Sequence, residues 1–424
     1  MAAPGDPRLA GSIAFTYPSF RLYQIARFCI VLATEMQAVA IGWQVYEITK
    51  RPLDLGLVAL SQFLPGILLF LVSGYTADRF DRRRVLTVGY AAFAVCSAML
   101  LTITIHGARS VYPIYAVSAL VGVVRSFNAP ASRAILPLIV PEDVFHSAFA
   151  WGATIMQMAM VLGPAVGGVI YALFRGPSAV YAGAMITATS AAVSMLGVQP
   201  QFRPRPREAF SWKTVLAGMH YIWQEKLVLG SISLDMFAVL LAGAVWLLPA
   251  FASGILKTGP WGLGLLRCAQ AIGAAGMALI LAHRPLGGKA GAKMLWCVAG
   301  FGVFTILFGL SHSMALSIIA LVLVGATDMV SVVVRGILIQ LATPNEMRGR
   351  VNAVDMIFIG TSNELGGFES GLTAAWLGIV PAVIVGGAGA IVVTALWAWM
   401  FPALRNADRL PSAESEPSLP EPLG

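Results

Sequence analysis

Charge is what this sequence has least of. Only 11% of its 424 residues are Asp, Glu, Lys or Arg, less than half the quarter or so that soluble domains carry, so no ordinary water-facing surface can be built from it. Cysteine and histidine are scarce too, with 4 and 5 copies. Cys29, Cys96, Cys268 and Cys297 all fall in apolar stretches without paired spacing, which argues against disulfides and against a metal site. The histidines make no His/Asp or His/Glu metal pattern, and no GxxxxGK(S/T) phosphate loop occurs. A metal-dependent membrane enzyme and a nucleotide-driven pump are therefore excluded, and no cofactor is expected. The first 20 residues hold Pro, Gly and Arg but no apolar core before a cleavage site. No removable signal is expected, and the first apolar run serves as the insertion signal.

What is present is hydrocarbon: 58% of residues are hydrophobic and the mean hydropathy is +0.79. A spanning helix needs roughly 20 apolar residues, and the uncharged runs 55–77, 85–105, 177–198 and 379–401 each meet that alone. Reading every such run gives twelve spans, at about 22–47, 54–77, 84–105, 111–135, 145–174, 177–198, 228–254, 260–282, 293–311, 313–340, 351–378 and 380–402. The expectation is an all-α integral membrane protein with twelve transmembrane helices. Its parts are a six-helix half at 1–198, a linker at 199–226, a second six-helix half at 227–402 and a disordered, Pro-, Ser- and Glu-rich tail at 403–424. The linker opens on the basic PQFRPRPRE. It then turns amphipathic, with Trp212, Val215, Leu216, Met219, Ile222 and Trp223 at helical period and Ser211 as a plausible cap. Such a helix is expected to lie along the inner membrane face.

The net charge of +8 does not mark a nucleic-acid partner. Most of the 28 Lys and Arg fall in the N-terminus, the tail and the loops on one side of the twelve spans, a bias that makes that side cytoplasmic and puts both termini there. The densest cluster is in GYTADRFDRRRVL, residues 74–86, between spans two and three.

The two halves repeat. LGLVALSQ at 55–62 echoes LGLLRCAQ at 263–270, RAILPLIVPED from Arg133 echoes RGILIQLATPNE from Arg335, and Trp43 and Trp246 hold similar places in spans one and seven. All three offsets are near half the chain and run in the same direction, the parallel repeat of two six-helix units related by an axis normal to the membrane, with a substrate path between them.

Several charged residues fall where lipid should be. A charge at mid-helix costs roughly 2.5–3.5 kcal/mol on insertion scales, so each needs protein, water or a partner. Glu35 sits near the middle of span one and is the first candidate for carrying a proton. Asp235 in span seven is the second, and Glu364 and Glu369 in NELGGFESG of span eleven are further candidates. Arg27, Arg125, Asn128 and Arg267 are candidates for a substrate path that takes an anionic or oxygen-rich cargo. Asp328 and Arg335, seven apart on one helix face, read as a structural pair. For every one of these residues the competing reading is an internal ion pair with no part in transport.

The 74–86 stretch resembles the loop signature G-x-x-x-D-R-x-G-R-R of the major facilitator superfamily. Gly74, Asp78, Arg79, Arg82 and Arg83 match it, and Asp81 replaces its second glycine. GPAVGG on span five, with Gly163, Pro164, Gly167 and Gly168, resembles the G-P-x-x-G-G motif of exporters that exchange cargo for protons. Longer stretches, among them FRLYQIARFCIVLATEMQAVAIGWQVYEIT and RGILIQLATPNEMRGRVNAV, resemble the enterobactin-exporter and secretion-effector branch of that superfamily. The resemblance implies a monomeric secondary transporter in a bacterial inner membrane, exporting a small organic molecule by alternating access with protons as coupling ion. An importer, a drug exporter of the same fold and a non-transporting receptor or scaffold stay open. Asp78 is expected to meet Arg133 near the start of span eleven and form a gate, or else a permanent anchor.

Overall fold

The computed structural model describes residues 13–107, 110–202, 212–284 and 288–407, leaving out the side chains at 70, 71, 77, 78, 146, 212–215 and 345. The basic stretch from 203, the Ser211 cap and the tail beyond 407 lie outside the described residues.

Helix follows helix. The first half holds α1 (Pro18–Thr49), α2 (Pro52–Leu68), α3 (Phe70–Arg79), α4 (Arg82–Ile105), α5 (Tyr112–Ile139), α6 (Phe145–Leu173) and α7 (Ser178–Leu196). After α8 (Trp212–Gln224) come α9 (Lys226–Leu241), α10 (Leu248–Gly254), α11 (Pro260–His283), α12 (Ala290–Leu310), α13 (Met314–Ala342), α14 (Asn345–Leu377), α15 (Ile379–Met400) and α16 (Pro402–Arg405). Proline stands in the first turn of α1, α2, α5 and α11, where its missing N–H costs nothing. Asp81, which replaces the glycine of the loop signature, caps α4 by accepting from the Arg83 N–H at 2.9 Å.

Among the described residues, ten helical segments are long and apolar enough to cross a bilayer. Two expected spans fall outside that group for physical reasons. The second is broken into α2 and α3 at Leu69, which leaves helical geometry at φ −95°, ψ 2° and makes each piece shorter than a full span. The eleventh, α14, is continuous but carries Glu346, Arg348, Arg350, Asp355, Glu364 and Glu369. Span seven is also interrupted: α9 stops at Leu241 and a short 3₁₀ turn, Ala244–Leu247, leads into α10. The result is twelve membrane crossings in two six-helix halves. Trp296, Trp376 and Trp399 stand exposed on the outer surface, the last two each near the C-terminal end of its helix, where indole favours the interface.

Polar side chains tie helices together inside each half. In the first, Ser97 donates to Gln37 at 2.6 Å and Tyr181 to Gln44 at 2.7 Å, bonds that satisfy groups with no water at hand. The linker helix α8 is held against the C-terminal half. Its Gly218 packs against the Arg350 carbonyl, Tyr221 donates to the Ala342 carbonyl, and Ile222 is buried with Ile339, Val351 and Val354. Part of its apolar face is thus seated on α13 and α14, and Leu216 and Trp223 remain exposed.

The repeated LGL segments explain where the halves meet. A Cβ on Gly56 in α2 would lie 3.1 Å from the Phe368 Cα of α14, and one on Gly371 of α14 would lie 2.9 Å from the Gly56 Cα. The partner crossing is built alike: a Cβ on Gly264 in α11 would lie 2.6 Å from the Pro164 carbonyl, and one on Gly168 of α6 would lie 2.9 Å from the Gly264 Cα. Both crossings are at the end opposite the termini, where backbone meets backbone. From there the α6–α11 seam descends through Cys268 and the Val161 carbonyl to Gln157 Nε2 and the Ala271 carbonyl at 3.0 Å.

Gly168→Leu and Gly264→Leu should each force the halves apart at that end, costing about 1–3 kcal/mol by overpacking and lowering the unfolding temperature of the detergent-solubilised protein. Gly276→Leu and Gly336→Leu, where a Cβ meets nothing within 4 Å, should leave that temperature unchanged.

Candidate functional site

Below the glycine crossings, at mid-membrane, α1, α2, α5, α11 and α14 bring ionic side chains together across the seam. Arg125 Nη1 of α5 donates to Glu364 Oε1 of α14 at 3.1 Å and to Gln62 Oε1 of α2 at 3.0 Å. Glu35 of α1 lies within electrostatic reach of Arg267 of α11 and of Arg125. Each half therefore offers one acid and one arginine, and each charge faces its opposite on the other half. The Arg125 side chain is 50% exposed and that of Glu364 13%. A guanidinium so open at this depth faces a cavity that admits water. Glu364 Oε2 and Arg267 Nε are buried and have no hydrogen-bond partner among the described residues, so the cluster retains unmet donors and acceptors.

The span-five motif is built against this cluster. A Cβ on Gly163 would fall 2.4 Å from the Glu35 Cβ, and one on Gly167 would fall 2.9 Å from the Met36 Cα. Gly163 makes room for the acid, Gly167 seats the backbone beside it, and Gly168 makes the crossing to α11.

A second ionic group is sealed inside the C-terminal half. Asp235 of α9 forms a buried ion pair with Arg335 of α13 and accepts from Ser331 at 3.3 Å, while Asp355 of α14 lies 3.7 Å from Arg335 Nε. The pairing expected between Asp328 and Arg335 is not the one made. Arg335 turns to Asp235 and Asp355 on neighbouring helices, and Asp328 instead lines a small cavity with Asp235, Thr327 and Ser331. The expected partner was a helical neighbour, but two turns of helix separate such a pair by about 10 Å, farther than side chains on packed helices.

The other candidates are dispersed. Asn128 packs its Oδ1 on Gly89 of α4 without a hydrogen-bond partner and no bond joins it to Arg125. Glu369 accepts from Thr373 on its own helix at 2.7 Å. Arg27 reaches Met156 of α6. In the 74–86 loop, Gly74 lies within α3, Arg79 bonds and stacks on Tyr75, and Arg83 donates to the carbonyls of Met195 and Leu196 at the end of α7, a favourable place for a cation. Arg82 Nε is buried without a hydrogen-bond partner, and Arg133 is exposed two turns before α5 ends. The side chain of Asp78 is outside the described residues, and so is the expected Asp78–Arg133 gate. Sequence reasoning missed Gln62, Gln157 and Gln24. The first had a signal, since Gln62 and Gln270 close the two repeated octamers.

The model of the transmembrane secretion effector family matches residues 11–423. The chain belongs to that family. Within it, the chain is 28% identical over 413 residues to the enterobactin exporter EntS of Escherichia coli strain K12, covering 94% of this chain and 96% of that protein, and it matches the same exporter of Shigella boydii equally. Among solved structures, a point mutant of the nucleoside transporter NupG superimposes with a TM-score of 0.70 at 13% identity, covering 90% of this chain and all of that one. A bacterial homologue of the lysosomal transporter Spinster, in an inward-facing state, gives 0.69 at 11%, covering 95% and 99%. The fold is that of the major facilitator transporters. This family member is a multi-span membrane transporter of a small molecule, not an enzyme.

The two ionic groups should respond differently to mutation. Arg335→Met leaves Asp235 and Asp355 buried without their cation and should cost about 3–5 kcal/mol, seen as low yield of folded protein. Partial rescue is expected from Asp235→Asn in the same chain. Glu364→Gln, beside a half-exposed arginine, should cost at most about 1 kcal/mol in thermal unfolding.

Proposed function

We propose that this protein exports a small, oxygen-rich organic molecule across the bacterial inner membrane in exchange for protons. The observation that carries the reading is the crossed arrangement of Glu35 with Arg267 and of Arg125 with Glu364 between the halves. Such charges favour the halves closing on one another, and a ligand or proton that changes one of them changes that balance. The full-length similarity to an enterobactin exporter supports a catechol-bearing cargo and outward transport. The Gly163 contact under Glu35 supports Glu35 as the proton carrier.

Exchange requires that proton and cargo are not held together. A cargo hydroxyl that donates to the ionised Glu35 carboxylate is displaced when that carboxylate takes a proton. Seams closed at the end away from the termini, together with a half-exposed Arg125 in mid-membrane, support an open path toward the termini. With both termini cytoplasmic, as the Lys and Arg bias favours, cargo enters from the cytoplasm, and on return the proton comes from outside. The protein works as a monomer, with its two halves rocking about the glycine crossings.

Everted membrane vesicles given an imposed proton gradient should accumulate a catecholate siderophore. Glu35→Gln at matched protein level should lose at least tenfold of the gradient-driven component. Accumulation only in right-side-out vesicles would make the protein an importer, the one alternative that the shared fold with a D-xylose–proton symporter brings into view. For the orientation, alkaline phosphatase should be active when fused after Thr258 and inactive when fused after Phe80 or Phe401.

A further inference from the structure

Of the four arginines in mid-span, two hold carboxylates in ion pairs, Arg125 with Glu364 and Arg335 with Asp235 and Asp355, and Arg267 lies within electrostatic reach of Glu35. Arg27 of α1 differs from these. Among the described residues no carboxylate lies within ion-pair distance of it, and its hydrogen bond goes to the Met156 thioether at 3.0 Å, a weak acceptor for one of five guanidinium N–H donors. A cation kept among spanning helices without a counter-charge is costly and calls for an anion from elsewhere.

One turn earlier on the same helix, Gln24 is only 3% exposed, and both its amide atoms lack a hydrogen-bond partner among the described residues. A buried amide left unsatisfied is destabilising, so this side chain too is set for a partner from outside the chain. The two groups converge on one spot. A Cβ on Gly152 of α6 would lie 3.0 Å from Arg27 Nη1 and 3.2 Å from Gln24 Nε2. Glycine there keeps the α6 side of the pair bare, and Arg27 itself is only half-buried. Eight residues separate Arg27 from Glu35, about 12 Å along α1, and Arg27 is the nearer of the two to the terminal end.

We infer that Arg27 and Gln24 form an oxyanion-binding site on the cargo path, receiving a carboxylate or an ionised catechol oxygen, with the guanidinium supplying charge and the Gln24 amide a further N–H. Naming that anion as part of the cargo rests on the transporter reading above. The binding itself does not. An oxyanion docks here first, and a hydroxyl elsewhere on the same molecule then reaches Glu35. The cargo is thus a molecule that carries both an acidic oxygen and hydroxyl donors.

The test uses the purified full-length protein in detergent and measures binding of benzoate, 2,3-dihydroxybenzoate and the neutral benzamide by calorimetry. Wild type should bind both carboxylates at least tenfold more tightly than benzamide. Arg27→Gln should erase that preference, and Arg27→Lys should keep part of it. Gln24→Leu should weaken benzoate severalfold yet raise the unfolding temperature of the ligand-free protein, because it removes unsatisfied groups from a dry site; a Gln24 with a purely structural role would lower it. Should Arg27→Gln not fold, the Gln24→Leu pair of readouts carries the test. Equal affinity for benzoate and benzamide in wild type, or unchanged benzoate affinity in Arg27→Gln, overturns the site. Intact benzoate binding in a protein that transports nothing would overturn the export reading and leave the site standing.

Discussion

The expense of an ion in hydrocarbon governs this molecule. Within the spans Arg125 is held against Glu364, and Arg335 against Asp235 and Asp355, whereas Arg27, Asp328 and Glu369 have no ion-pair partner among the described residues, and the positions where that matching is incomplete or lies across a movable boundary are the ones that can do work. Arg335 with Asp235 and Asp355 is matched inside one half, among helices that travel together. Such a group holds the C-terminal half in register. Arg125 is paired with Glu364 across the seam, and Glu35 lies within electrostatic reach of Arg267 across it and of Arg125 within its own half. Motion of one half against the other must part those charges, so whatever neutralises or replaces one of them sets the equilibrium between the two orientations of the path.

The same reasoning separates the arginines of the 74–86 loop from those of the cavity. Arg83 rests on the last carbonyls of α7 within its own half. It holds the loop to the end of the sixth span, and nothing about that contact needs to change when the halves rock.

Much of the fold was legible because the bilayer imposes its length on the sequence. Uncharged runs such as 85–105 and 379–401 became α4 and α15 with little change in their ends, and the octamer repeat around Gly56 and Gly264 announced the two halves. The site was legible only in part. Glu35 announced itself as a carboxylate in mid-span, but its partner Arg267 lies in the other half, and no spacing along a chain encodes a contact between two bundles. For the same reason Arg335 was assigned a neighbour on its own helix when its partners come from α9 and α14. The break in span two had its proline in view at Pro65. The seat of α8 did not, because periodicity shows that an apolar face exists and is silent on whether lipid or protein covers it.

The two glycine crossings also say something about how such a machine arises. Gly56 and Gly264 hold the same place in the repeated octamers, and each meets a glycine of the opposite half, Gly371 or Gly168. In a protein made by joining two copies of one six-helix unit, a single small residue acquired by the ancestor supplies a pivot on both flanks at once. The bearing surface is smooth backbone, without interlocking side chains that must disengage at every stroke. Symmetry of descent and ease of rotation then have one source. The charges beside the seam, which are unlike in the two halves, are free to diverge around an axle that stays the same.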